Sequence, residues 1–416
     1  MSKVRAILIG AGQRGKDAYG SYALKYSNSI EFVAVAEPNE LRRKEFSKQH
    51  NILGEYQFEA WEELLEKEKF CDAVVIATPD RTHFEPAKLA LKKGYHILLE
   101  KPMSYSPEEC IELGKLTEEK NNIFMICHVL RYTPFYSTLK SIIEKGEIGE
   151  LVSIQHNENI GYFHFAHSFV RGNWRNSDLS SPLMLQKSCH DMDILLWLVG
   201  KNCTNIASFG KLAYFKKENK PQNAGDRCIS CAVEKECPYS ALKLYYNNVG
   251  QWPSTVICEI QTMEKVQKAV EQGPYGRCVY NCDNNVVDHQ STILEFEDGI
   301  TATFNLCAFT NKINRTLKIM GTKGEIRAVD SKNEIEVQLF DTNERRIINP
   351  EEVSGGHGGG DTRIMEDFVS LILSDRRNAL TSATISVQSH MMAFAAEESR
   401  LNNRVITMKD YYNKFY

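Results

Sequence analysis

Apolar residues in the first third of the chain gather in short, nearly unbroken runs, at residues 4–9, 32–36, 73–77, 96–99 and 123–127. Strands buried on both faces read this way, whereas a half-exposed strand alternates. Between the runs the spacing turns helical, over residues 61–68, 85–93 and 107–120. The last of these opens with Ser106 as N-cap, Pro107 at the first helical position and Glu108 and Glu109 in the first turn, all favourable at a helix start. Strand and helix in alternation predict a parallel sheet with crossover helices. Beyond residue 150 the texture changes. Residues 183–199 predict a helix, and residues 292–296, 301–306, 316–319, 325–329 and 335–340 predict strands separated by turn signals such as Glu297-Asp298-Gly299 and Gly321-Thr322-Lys323-Gly324. Strands in succession imply a largely antiparallel sheet. Two long helices, 362–374 and 383–402, follow; residues 216–225 read as a surface loop and 354–360 as a glycine-rich one.

A chain of 416 residues has room for two or three domains and needs neither disulfide nor metal to build a core. Lysine plus arginine is 50 and aspartate plus glutamate 54, a net charge of −4, which gives no electrostatic reason to expect nucleic acid or an anionic membrane as partner. No apolar run approaches the ~20 residues of a membrane helix. The apolar stretch after Met-Ser-Lys-Val-Arg is too short for a signal peptide, so the expected location is the cytoplasm. The 12 cysteines then sit in a reducing compartment, where metal, catalysis or burial outranks disulfide.

Gly10-Ala11-Gly12-Gln13-Arg14-Gly15 stands directly after the first strand. In that place the pattern is a dinucleotide fingerprint: Gly10 for the tight turn, Gly12 for close backbone approach to a pyrophosphate, Gly15 for helix–strand packing. The helix start at Gln13 and Arg14 offers N–H groups to the phosphates. Glu37 ends the second strand, where a carboxylate binds ribose hydroxyls and repels a 2′-phosphate, so NAD is expected over NADP. Arg42 and Arg43 read as solvated helix charges. The fold class is therefore α/β, with an N-terminal Rossmann domain over residues 1–130. An α+β domain with a large open, mostly antiparallel sheet follows over 131–416, carrying a cysteine-rich insertion at about 214–285.

Thr78-Pro79 with His83 ends the third strand, and Glu100-Lys101-Pro102 ends the fourth, at strand ends where open sheets bind ligands. With His190-x-x-Asp193 and the turn at Gly321, these residues make the chain resemble the Gfo/Idh/MocA oxidoreductases over nearly its whole length. The resemblance implies a cofactor site at the glycine turn, Glu37, Thr78, Pro79, His83 and Glu100. It places Lys101 beside nicotinamide and substrate, commonly before a cis-proline. It also implies a homo-oligomer, dimer or tetramer, joined through the C-terminal sheet. One departure stands out. The family pattern D-x-G-x-H-x-x-D reads here Gln186 to Asp193, so His190 matches while the first Asp is Gln186, which cannot ionise. His190 remains a candidate base beside Lys101. Lys187, His190 and Asp193 share one helical face by spacing.

The segment from His156 to Trp174 is dense in rings and polar groups. Tyr162, Phe163, Phe165 and Trp174 can stack on a sugar, and His164, His167 and Arg171 can bind hydroxyls or a carboxylate; His164 and His167 with His156 or Glu158 form a lesser metal candidate. His128 and Arg131 follow the fifth strand, and His357 lies on the glycine-rich loop, where a lid can close. Cys228-x-x-Cys231 with Cys237 is a half-site for structural zinc, completed by Cys278 or Cys282; free thiols, a disulfide and an iron–sulfur cluster are the competing readings. The function expected is hydride transfer between a sugar, cyclitol or glycoside hydroxyl and NAD. A redox-assisted glycosidase or lyase, and a non-catalytic dinucleotide-binding regulator, are the alternatives.

Overall fold

The computed structural model describes residues 3–415. Strands β1 (Val4–Ile9), β2 (Ile30–Ala36), β3 (Gln57–Phe58), β4 (Ala73–Ile76), β5 (His96–Leu99) and β6 (Phe124–Ile126) form a parallel sheet in the order β3-β2-β1-β4-β5-β6. Five of the six are the unbroken apolar runs; β3 is two residues long and left no periodic signal. The helix Pro107–Glu119 starts as its sequence dictates, with Ser106 Oγ accepting from Glu109 N–H. Chain order reverses direction across β1 and β4, which opens a crevice at the carboxyl ends of the strands.

The second sheet has nine strands: β7 (Leu151–Asn159), β8 (Cys203–Lys211), β9 (His289–Phe296), β10 (Thr301–Cys307), β11 (Asn314–Gly321), β12 (Gly324–Val329), β13 (Glu334–Leu339), β14 (Arg345–Ile348) and β15 (Ile406–Thr407). Their order is β14-β13-β12-β11-β7-β10-β9-β8-β15, and β7 with β10 is the parallel pair in an otherwise antiparallel ladder. One face is buried through Ile154, Leu294, Phe304 and Ile319; the other is solvated.

The expected helix over 183–199 is two pieces, Leu183–Gln186 and Cys189–Val199, broken at Lys187 and Ser188. The helix Gly360–Ser374 crosses back to the first sheet, where Ile364, Met365 and Phe368 share a buried cluster with Ala6, Leu8, Val35 and Val75. The helix Ala383–Asn402 packs between the helix Pro107–Glu119 and β8. Residues 212–288, between β8 and β9, build a small core of their own from Cys228, Ala241, Tyr245, Val266, Val270 and Tyr275. Among the described residues no helix is long and apolar enough to cross a membrane.

Candidate active site

The glycine turn is sterically dictated. Gly10 has φ +92°, and a Cβ there would lie 2.7 Å from the Ala77 carbonyl oxygen; one on Gly15 would lie 2.0 Å from that of Gly10. Gly12 is open, its nearest neighbour being Arg42 Nη1 at 3.9 Å, so backbone can approach a pyrophosphate. Gln13 is exposed and begins the helical turn Arg14–Gly20. Glu37 is buried, accepting from Ala11 N–H at 2.8 Å and Asn39 N–H at 2.9 Å. Each carboxylate oxygen keeps acceptor capacity for a ribose hydroxyl. Arg43 is no solvated charge: it is buried and donates to the Glu37 carbonyl and to Glu59.

Arg14 does not aim at a phosphate. Its Nε donates to Glu100 at 2.5 Å and its two Nη atoms grip Asp361 at 2.8 Å each, while Nη2 also reaches Tyr19 OH. Burial by itself would raise the Glu100 carboxyl, but Arg14 and Tyr19 hold it below its ordinary value. Likewise His357 and Arg14 outweigh burial and hold the Asp361 carboxyl well below the usual range. His83 is also withdrawn: its ring bridges the Pro102 and Thr78 carbonyls at 2.7 and 2.8 Å, so it shapes the two strand-end loops from beneath. The hydroxyl of Thr78 bonds to the Thr82 carbonyl, and Pro79 is exposed at the same edge.

Lys101 precedes a cis-proline, and its Nζ donates to the Gln186 carbonyl at 2.8 Å. Gln186 thus meets the lysine through its backbone, while its Nε2 bonds to the Trp174 carbonyl and its Oε1 lacks a partner. His190 enters from the first turn of Cys189–Val199, buried and with Nδ1 unpartnered. Burial first, and Lys101 as the strongest nearby charge, hold its pKa well below the ordinary value, so the ring stays neutral. Four histidines line up here. Ring centroids run 6.3 Å from His357 to His190, 5.7 Å to His128 and 5.4 Å to His390. His357 is exposed and has Nδ1 on Asp361 at 3.1 Å. His128 is wholly buried with neither ring nitrogen bonded. His390 accepts from Met103 N–H and donates to the Ser386 carbonyl.

Several expected substrate contacts are supports instead. Arg131 and Asp193 form a bidentate pair, 2.7 Å on both arms, with the two side chains 3% and 1% exposed. Lys187 falls outside the helix, off the face of His190 and Asp193, and pairs at 3.2 Å with buried Glu158, which also meets Arg315. His156 bonds Asp191. His167 is fixed by Tyr245 OH at 2.9 Å and stacks on Tyr275; burial pushes its pKa down to about 3. Arg171 is 1% exposed and bonds the Arg277 and Tyr239 carbonyls. Phe165 is core. The reason is common to the last four: a dense polar and aromatic segment needs partners when buried, and the insertion supplies those of His167 and Arg171.

What remains open to the cleft is Tyr162, Phe163, His164 and Trp174. His164 is half-buried and feels the charges of Lys187 and Lys101. Trp174 is 43% exposed, with Nε1 3.3 Å from Asp80 Oδ1. The insertion adds Trp252, whose ring meets His164 edge-on at 5.1 Å. Sequence reasoning missed Trp252, Tyr19, Asp361 and His390; Asp361, one residue past the glycine-rich loop, was the one with a local signal.

The zinc expectation is not supported. Among the described residues no group of three or more His, Cys, Asp or Glu side chains is placed to hold a metal ion, and this covers the histidine candidate as well. Three of the sulfurs have hydrogen-bond partners: Cys228 accepts from Arg171 and Ala241 N–H, Cys231 from Gly225 N–H, and Cys282 donates to the Cys278 carbonyl. With Cys237 they border a largely apolar cavity of about 370 Å³, or pack beside it. All 12 cysteines are free thiols.

Comparison with known proteins agrees with this architecture. The model of an oxidoreductase family with an NAD-binding Rossmann fold matches residues 4–128, and that of the family's C-terminal alpha/beta domain matches 140–408. The Bacillus subtilis protein YteT is 23% identical over 366 residues, 83% of each chain. The scyllo-inositol 2-dehydrogenase (NAD(+)) of the same organism is 27% identical over 50% of this chain and 58% of its own. Levoglucosan dehydrogenase in complex with NADH and L-sorbose superposes with a TM-score of 0.73 at 18% identity, covering 98% of this chain and 99% of that one.

Proposed function

The chain belongs to the Gfo/Idh/MocA oxidoreductase family, and from that premise we propose an NAD-dependent dehydrogenase that oxidises a secondary hydroxyl of a sugar, cyclitol or glycoside. The observation that carries this reading is Lys101, at the strand ends that also hold the glycine turn and Glu37, with its Nζ on the Gln186 carbonyl and its charge felt by buried His190 on the facing helix. Residues 1–130 serve the cofactor and 131–416 the substrate. Similarity to an inositol dehydrogenase and a levoglucosan dehydrogenase supports a polyhydroxylated ring as substrate.

Glu37 binds the adenosine ribose and the open backbone at Gly12 the pyrophosphate. The nicotinamide, when bound, accepts the hydride. Lys101 donates a hydrogen bond to the reacting hydroxyl and stabilises the developing alkoxide. His190 takes the hydroxyl proton. His357, oriented by Asp361 and exposed, passes the proton to water, whereas His128 on the other side is sealed. Trp174, His164 and Tyr162 embrace the ring. The outward face of the second sheet carries Phe209 and Ile293, 63% and 56% exposed, which supports assembly of like chains through that sheet.

The test is NADH formation with purified protein, NAD and a panel of inositols, aldoses and anhydrosugars. Turnover with at least one polyol is expected. Absence of turnover, together with no NAD-dependent thermal shift by any of them, refutes the reading.

A further inference from the structure

The insertion between β8 and β9 carries a carboxylate to the cofactor side of the cleft. Glu259 lies in the loop between the helices Ser254–Ile257 and Met263–Gln272. Its Oε1 accepts from Arg42 Nε at 2.7 Å and stands 2.6 Å from Arg42 Nη2. Arg42 is in the first turn of the helix Glu40–Gln49, which begins just after Glu37. Its third nitrogen, Nη1, is the atom nearest the open side of Gly12. The guanidinium therefore stands between the glycine turn and the end of β2, where this fold seats the adenosine ribose. A free arginine there would grip a 2′-phosphate with two parallel N–H groups. Here the Nε/Nη2 edge that does so is already filled, and by a negative charge. Glu259 is presented by a unit with its own packed core, so its position is not that of a loose surface loop.

We propose that Glu259 is a cofactor-specificity residue: by occupying the Nε/Nη2 edge of Arg42 it leaves a 2′-phosphate facing the two carboxylates of Glu37 and Glu259 without that bidentate grip, and so disfavours NADP. The inference rests on the dinucleotide reading above. It differs in assigning part of the discrimination to the insertion, outside the nucleotide-binding fold itself. Both partners are more than a third exposed, 38% and 39% at the side chain, so the pair contributes little to stability and its removal leaves the fold intact.

The experiment is calorimetric binding of NAD and of NADP, without substrate, to the wild type, Glu259→Gln, Arg42→Gln and the double variant. The wild type favours NAD. Glu259→Gln binds NADP about fivefold to tenfold more tightly, since one exposed charge-assisted contact is gained and one repulsion lost, while NAD affinity stays within about twofold. That gain vanishes in the double variant, because Arg42 is its agent. An unchanged NAD-to-NADP ratio in Glu259→Gln, with the wild type still favouring NAD, overturns this inference alone. A gain that survives in the double variant overturns it too. A wild type that binds neither nucleotide overturns it along with the dinucleotide reading, and one that binds both equally overturns it along with the NAD preference.

Discussion

Replacing Asp193 by Asn separates the two roles that this residue could have. As a substrate ligand it would affect turnover; as the partner of Arg131 it affects folding. The structure gives it the second role: both side chains are almost inaccessible, and both arms of the guanidinium are filled at 2.7 Å. Without the carboxylate, Arg131 keeps the Leu380 carbonyl at 3.2 Å as its remaining strong acceptor. Removing one partner of a buried pair costs about 3–5 kcal/mol. For a chain of 416 residues unfolding as one unit, that lowers Tm by about 3–6 °C. Burial already pushes the Asp193 carboxyl above its ordinary value despite Arg131, so desolvation weighs heavily on the pair. The double variant Arg131→Met/Asp193→Leu should therefore recover most of the loss. Urea titration and thermal melting measure the stabilities, and steady-state kinetics at low temperature measure the surviving fold. An Asp193→Asn protein that melts with the wild type but has lost about 100-fold in kcat would refute the assignment and return Asp193 to the substrate.

The catalytic pair comes next. Lys101→Ala and His190→Ala should each lose about 10²–10⁴-fold in kcat with NAD affinity nearly unchanged, and the acid limb of kcat/KM should lie below the ordinary histidine value of about 6.5. Burial and Lys101 keep His190 proton-free as pH falls; a limb at or above neutrality contradicts that. Acid stability is the other prediction. Burial holds His167 and His390 at about 3 in the fold against about 6.5 unfolded, so the unfolded chain takes up protons first. The stability these rings contribute is complete above about pH 6.5 and is lost progressively toward pH 3, about 2 kcal/mol per ring by pH 5. Equal urea midpoints at pH 7 and pH 5 would refute this.

Periodicity made the first sheet legible because its strands are buried on both faces and advertise themselves as apolar runs. It made β8 nearly invisible: only Ile206 and Ser208 of that strand are fully buried, and its outward residues include Phe209. At the site, what local backbone geometry fixes was readable, as the steric demands on Gly10 and Gly15 show. Residues whose role depends on a distant partner were not. Nothing near Arg171 in the chain announces Tyr239 and Arg277, and nothing near His167 announces Tyr245. A buried histidine and a ligand-facing one carry the same letter, and burial is decided by the 77-residue stretch 212–288 that separates β8 from β9. Motif spacing likewise proposed a metal at cysteines that the fold gathers along one cavity without placing three of them to hold an ion.

In the proposed mechanism Gln186, in place of a carboxylate, leaves a proton taken by His190 without the acid that the family pattern sets four residues before it, and Asp361 is the candidate to compensate. Asp361 holds His357 Nδ1 at 3.1 Å and Arg14 through two bonds of 2.8 Å. A carboxylate on Nδ1–H fixes the tautomer and leaves Nε2 as the acceptor. Asp361→Asn keeps the size but removes the charge, so His357 loses its orientation while Arg14 retains Glu100 at 2.5 Å. If His357 is the exit for the proton, kcat should fall about 10–100-fold, and added imidazole should restore part of it by carrying the proton from His190 directly. If Asp361 only ties the helix Gly360–Ser374 to the glycine turn, Tm and NAD affinity fall together and imidazole does nothing. Loss of kcat without rescue, at unchanged Tm, would place the proton's path elsewhere, with half-buried His164, which also feels the charge of Lys101, next to be tested.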